Sequence, residues 1–267
     1  MRINNCVCCN SKKIKKIKIF NKPPKIEPNY GIKNYYRELH KCLECENFFN
    51  LSKVDMNKIY EKGYSKISYG DDLWSKLYKI YNLKKKSDNF HRVNRILEKY
   101  KNFKNSKNFS VLDIGTGFGL FLYALKKENK NWKLQAVEPD LQNIKFLKKK
   151  LKIKTTKGFI ESVNLKKKFN LITLNKVLEH TKKPKDVLLK LKKKLKNKGE
   201  IYIEVPDGLS ASKKGYGREE FCIDHHYIFS QKSFKELIKN SGYKILSLKK
   251  IKEPSNKFSI ISFITKR

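Results

Sequence analysis

From about residue 108 onward, short apolar runs alternate with longer amphipathic segments, and this rhythm constrains the chain more than any other feature. The candidate strands are SVLDIG (110–115), KLQAVE (133–138), FNLITL (169–174) and EIYIEV (200–205), with a weaker one near IKTTKG (153–158). Helices fill the gaps, which is the pattern of βαβ units building a mainly parallel sheet. A helix expected over SQKSFKELIKNSG (230–242) is followed by two β-rich runs, YKILSLKK (243–250) and KFSIISFIT (257–265). Runs so close in sequence must pair antiparallel, because a parallel return needs a long crossover. The expected fold class is therefore α/β, Rossmann-like and doubly wound, with a mainly parallel seven-stranded sheet ending in an antiparallel hairpin.

The residues upstream follow different patterns. Residues 1–50 hold five of the six cysteines and a Pro-rich stretch, NKPPKIEPN (21–29), and read as a small loop-rich module. Residues 51–107 carry aromatic, Leu and Ile positions at helical spacing, as in LWSKLYKIYNL (73–83) and HRVNRILEKYKNF (91–103), and read as linking helices. A length of 267 residues accommodates one full α/β core, residues 108–267, and this smaller appendage.

The chemistry concentrates at VLDIGTGFGLFLYAL (111–125), where a strand turns through Gly115, Gly117 and Gly119 into a helix. Glycines let backbone pass close to a ligand, and the helix start offers free N–H groups to an anion. A structural turn or a dinucleotide loop would look similar. Asp113 at the strand end distinguishes them: a carboxylate there repels a pyrophosphate but pairs with the α-ammonium of a methionine moiety, whose carboxylate the helix N–H groups can take. The next strand ends in AVEPD, so Glu138 stands where an acid accepts hydrogen bonds from ribose hydroxyls. S-adenosylmethionine carries all of these groups.

On VLDIGTGFG, VEPD, FNLITLNKVLEH (169–180), LKKKLKNKGEIYIEVPD (191–207) and HHYIFSQKSFKELIKNSGY (225–243), residues 108–267 resemble the class I S-adenosylmethionine-dependent methyltransferases. The resemblance implies that Asp113, Gly115, Thr116, Gly117 and Gly119 hold the methionine end of the cofactor and that Glu138, with Pro139 beside it, holds the ribose. Asn175 at the mouth of the fourth strand would border the cofactor. The family often has an acidic residue near the adenine after the third strand; here Gly158 is followed by Phe159, which is left to pack against the ring. His225 matches the histidine of the family's acid-His motif, with Asp224 to orient or charge-stabilise it. Two roles stay open for His225, general base or hydrogen-bonding wall of the substrate pocket. Tyr60, Tyr64 and Tyr69 read either as a lid over the cofactor or as core, and His180 as a loop-packing or substrate-side residue.

Cys6-x-x-Cys9 and Cys42-x-x-Cys45 form two knuckles, and four thiolates suit a structural tetrahedral Zn²⁺. Disulfides or unconnected core cysteines are the alternatives. Placed ahead of a methyltransferase core, this module resembles that of zinc-containing sugar methyltransferases acting on nucleotide-linked deoxysugars, although the first knuckle lacks their usual Pro and Gly neighbours.

The formal net charge of +38 raises the question of nucleic acid. Only six of the 63 basic residues are Arg, however, and base readout favours the guanidinium fork. The lysines of FLKKKLKIK (146–154) and LLKLKKKLKNK (188–198) alternate with Leu, as on solvated helix faces. No run is long and apolar enough to span a membrane, and the opening residues hold no apolar secretory segment, so the expected location is cytoplasmic. The expected activity is methyl transfer from S-adenosylmethionine to a small, anionic, sugar-containing acceptor. Its rivals are an RNA methyltransferase that grips phosphates with the zinc module and lysines, and a non-catalytic binding protein on the same scaffold.

Overall fold

The protein is described here by a computed structural model covering residues 4–267; residues 1–3, where the expected cysteine module begins, lie outside the described residues. The N-terminal part contains β1 (Ile14–Phe20), β2 (Arg37–Cys42) and β3 (Phe48–Ser52), then helices α1 (Met56–Lys62), α2 (Tyr64–Tyr69), α3 (Leu73–Asn82) and α4 (Asp88–Lys99). The alternating part runs β4 (Ser110–Ile114), α5 (Leu120–Glu128), β5 (Lys133–Glu138), α6 (Leu141–Lys149), β6 (Lys154–Lys157), β7 (Phe169–Asn175), α7 (Pro184–Lys192) and β8 (Leu195–Pro206). It closes with α8 (Gly208–Ser212), β9 (Tyr227–Ile228), α9 (Gln231–Asn240), β10 (Tyr243–Lys252) and β11 (Phe258–Lys266).

The large sheet has the order β10-β11-β8-β7-β4-β5-β6. Its five strands from β8 to β6 are parallel, and β11 pairs antiparallel with both β8 and β10. All five residues of β4 are buried, as expected of a central strand covered on both faces. Their side chains alternate: Val111 packs with Phe121, Leu122 and Leu147 on one face, and Leu112 and Ile114 pack with Val187, Leu188 and Leu191 on the other. The chain leaves β4 toward β5 and returns to place β7 on its other side, so the strand order reverses between β4 and β7. A crevice opens at the carboxyl ends of strands at such a point.

One expected helix is shorter than its Leu spacing suggested. α7 ends at Lys192, and Leu195 enters β8 opposite Phe169, whose N–H donates to the Lys194 carbonyl at 2.8 Å. Pairing with β7 overrides the local helical pattern of residues 195–198.

The cysteine-bearing segment builds a second, antiparallel sheet in the order β1-β2-β3-β9. Its last strand comes from the segment after β8, with Phe48 opposite Ile228 and Phe49 opposite Tyr227. Asn50 strengthens the join by donating through Nδ2 to the carbonyls of Cys222 and His225, both at 2.9 Å. Ser230 donates to the Cys45 carbonyl at 2.7 Å and Asn240 to the Cys8 carbonyl at 2.9 Å. Residues 4–52 and the segment from 219 to 240 thus form one framework. Among the described residues no helix is long and apolar enough to cross a membrane.

Candidate active site

A cleft of about 950 Å³ opens at the switch point, and its walls include Asp113, Gly115, Thr116, Gly117, Glu138, Pro139, Phe159, Asn175, Asp224 and His225. Asp113 ends β4 with its carboxylate buried; Oδ1 accepts from the Thr173 hydroxyl at 2.6 Å and from Asn175 Nδ2 at 2.9 Å. Burial pushes its pKa up to about 6, against the opposing pull of those hydrogen bonds. Asn175 Oδ1 is buried beside it without a partner. A buried carboxylate next to an orphaned oxygen is a place for an ammonium, so these residues fit the methionine end of S-adenosylmethionine.

The glycines divide into different roles. Gly115 and Gly117 take φ of +61° and +57° along the cleft wall, and a Cβ on Gly115 would lie 2.8 Å from Val177. Gly119 does not line the cleft. Its Cβ position lies 2.4 Å from Leu147 Cδ2 of α6, so the absence of a side chain at the third glycine lets α6 pack against the loop.

Glu138 ends β5 with its carboxylate buried, Oε2 accepting from the Gly117 N–H at 2.8 Å and Oε1 from the Asp140 N–H at 3.1 Å and Asn143 Nδ2 at 3.2 Å. The Gly117 N–H is therefore engaged by the neighbouring strand's acid. Burial raises Glu138 to about 7.

The histidine region departs from expectation. The His225 ring donates from Nδ1 to the Glu220 carbonyl at 2.8 Å, in the turn of residues 219–221, and Nε2 is free of that bond. No hydrogen bond joins it to the Asp224 carboxylate. Asp224 Oδ2 instead accepts from the Tyr30 hydroxyl at 3.3 Å and the Tyr60 hydroxyl at 3.5 Å, and lies 3.6 Å from His180 Nδ1. The hydrogen bond that orients the His225 ring runs to a backbone carbonyl, while Asp224 lines the same cleft as a neighbouring charge. His180 is part of the cluster: its Nδ1 lies 2.9 Å from the Asp224 carbonyl and 2.8 Å from the Tyr60 hydroxyl, and its ring centroid is 4.7 Å from that of His225. Tyr60, Tyr64 and Tyr69 line the cleft with Tyr30. Arg92 of α4, unremarked in the sequence, also reaches the cleft and holds Glu204 of β8 through Nε at 2.9 Å. Its only sequence signal was an Arg in a Lys-dominated chain.

Cys6, Cys9, Cys42 and Cys45 converge with all four sulfurs within 4.8 Å of one another, while Cys8 is buried outside the set. Cys6 and Cys45 sulfurs are 3.5 Å apart and those of Cys9 and Cys42 3.6 Å, close to the edge of about 3.8 Å of a tetrahedron with Zn–S bonds of about 2.3 Å. All are free thiols. Each knuckle closes with an N–H donating to the first cysteine's carbonyl, Asn10 to Cys6 at 2.8 Å and Glu46 to Cys42 at 3.0 Å. Asn10 and Glu46 take φ of +62° and +63°, the left-handed positions where glycine is usual. The four thiols fit a zinc ion.

This sheet order, with acids at the tips of β4 and β5 and a glycine loop between β4 and α5, defines the Rossmann-like S-adenosylmethionine-dependent methyltransferases. A profile described as the methyltransferase domain matches residues 81–248, well over half of the sequence, and the chain belongs to that family. It is 32% identical to an uncharacterised protein of Methanocaldococcus jannaschii over 181 residues, 65% of this chain and 75% of that protein. It is 28% identical to a ubiquinone biosynthesis O-methyltransferase of Rickettsia bellii over 131 residues, 47% of this chain; the match spans about half, 52%, of that enzyme. Among solved structures, the fold resembles that of magnesium protoporphyrin IX methyltransferase from Synechocystis PCC 6803 with bound S-adenosylhomocysteine (TM-score 0.59, 13% identity), covering 80% of this chain and 100% of that one.

Proposed function

We propose that the protein transfers a methyl group from S-adenosylmethionine to a small sugar-containing acceptor, with His225 as general base and a structural Zn²⁺ on Cys6, Cys9, Cys42 and Cys45. When bound, the cofactor supplies a methyl group made electrophilic by a positively charged sulfur. Asp113 would take its ammonium, Glu138 its ribose and Phe159 one face of its adenine, with Gly115 and Thr116 beside the methionine end. The observation that supports the reading is that His225, with Nδ1 bonded to the Glu220 carbonyl and Nε2 free of that bond, lines the cleft that also holds Asp113 and Glu138. The resemblance of the cysteine module supports the sugar acceptor, and the +38 charge would steer an anionic one toward the protein.

His225→Ala is expected to lower kcat by about 10²- to 10⁴-fold while S-adenosylhomocysteine affinity changes by less than about twofold. Transfer of radiolabelled methyl from S-adenosylmethionine, assayed against sugar nucleotides and against RNA, measures this. Undiminished turnover in the variant removes His225 from the chemistry, and label entering RNA alone removes the sugar acceptor.

The two raised carboxyls set the pH dependence. Between the ordinary carboxylate range and about pH 7 the folded chain binds more protons than the unfolded one, so these groups favour the fold at low pH and that contribution is lost as pH rises through 6 and 7. Cofactor binding has the opposite sign, because it requires both groups ionised. Calorimetry should show S-adenosylhomocysteine binding about tenfold more weakly at pH 6.0 than at pH 7.5. Equal affinity at the two values would separate Asp113 and Glu138 from cofactor binding.

A further inference from the structure

Glu179 is the least accounted-for group in the cleft. It sits in the turn of residues 178–180 just after β7, is 0% exposed, and neither carboxylate oxygen has a hydrogen-bond partner. One of its oxygens lies within 4.8 Å of ring nitrogens of both His180 and His225. Asp224 supplies a second buried oxygen without a partner, Oδ1. The hydrogen bonds given for the two histidines run elsewhere, His180 Nδ1 to the Asp224 carbonyl and the Tyr60 hydroxyl and His225 Nδ1 to the Glu220 carbonyl. Lys176, the nearby cation, is drawn to Glu204 and Ser259. Two buried carboxylates thus share this end of the cleft, with three oxygens that no hydrogen-bond donor reaches.

Its walls are aromatic. Tyr30 and Tyr64 stack with centroids 6.3 Å apart, and Tyr60 meets Tyr64 edge-on at 4.8 Å. A hydroxyl brings one proton and can satisfy only one acceptor, whereas a protonated amine brings two or three, neutralises carboxylate charge and is favoured beside tyrosine rings. We infer that this end of the cleft, with Glu179 at its base and Asp224 and the tyrosines around it, binds a protonated amino group carried by the methyl acceptor. The inference rests on the methyltransferase reading and narrows its substrate class to amine-bearing acceptors; an amino sugar meets both demands. Burial pushes the Glu179 carboxyl up from its ordinary value, and an ammonium beside it would restore the ionised form.

Benzylammonium and benzyl alcohol, which differ in the charged group alone, are the probes. Calorimetry on the full chain saturated with S-adenosylhomocysteine, in chelator-containing buffer, is expected to show benzylammonium binding at least tenfold more tightly than benzyl alcohol. Glu179→Gln should reduce that preference at least fivefold. Equal binding, or no binding of either probe, overturns the inference, and this comparison needs no variant that folds. Magnesium or manganese chloride alone giving saturable heat that Glu179→Gln abolishes would make Glu179 a metal ligand and also overturn it. S-adenosylhomocysteine binding measured first tells the two failures apart: if it is present, only the amine site fails, and if it is absent, the methyltransferase reading fails with it.

Discussion

Asp113→Ala protein is expected to bind S-adenosylhomocysteine at least a hundredfold more weakly than the unaltered chain while remaining folded. The carboxylate is buried and already carries a desolvation cost, seen in its rise to about 6, so removing it relieves that cost. Thr173 keeps an alternative acceptor in the Leu112 carbonyl at 3.5 Å, and the net change in stability should be within about 1 kcal/mol. The ligand's ammonium, by contrast, would enter a buried site with no counter-charge. Breaking such a pair costs about 3–5 kcal/mol, which is more than two decades in affinity. Calorimetry with circular dichroism on the same sample tests both halves. A folded variant with unchanged affinity would show that the cofactor's ammonium binds elsewhere.

The second large effect concerns the cysteine cluster. Cys42→Ser should release zinc and lower Tm by about 10 °C or more, since a structural site contributes several kcal/mol and each kcal/mol shifts a chain of this size by about 2–4 °C. Activity should fall as well, although the cluster is not among the cleft residues. β3, which follows the second knuckle, pairs with β9, and Asn50 holds the Cys222 and His225 carbonyls, so loosening the knuckles loosens the loop that aims His225. Elemental analysis, differential scanning calorimetry and the methyl-transfer assay give the three readouts. If the purified chain holds less than a tenth of an equivalent of zinc, and the serine variant melts with it at the same temperature, the cluster is no metal site.

Much of the large sheet and part of the cleft were legible in one dimension. Strand, glycine turn, helix and strand-end acid are local features, because alternation of side chains, positive φ and a helix start each depend on a few consecutive residues. Asp113, Gly115, Gly117 and Glu138 therefore reached one cleft as their spacing implied. Residues 195–198 misled, because a Leu and Lys pattern suits a helix and the partner strand that overrules it lies some 25 positions earlier.

Other features exist only in three dimensions. Gly119 reads as the third glycine of a loop, and only the fold brings Leu147 of a distant helix against it. Asp224 adjoins His225 in the chain but bonds Tyr30 and Tyr60, which arrive from 194 and 164 residues away. Glu179 reads as one more charged residue, and burial without a donor is what gives it a demand to be met. The amino-acid order by itself determined the periodicities and the chemistry available at each position. Only tertiary packing decided which buried polar groups found partners, because desolvation and hydrogen bonding depend on neighbours in space, whatever their separation along the chain.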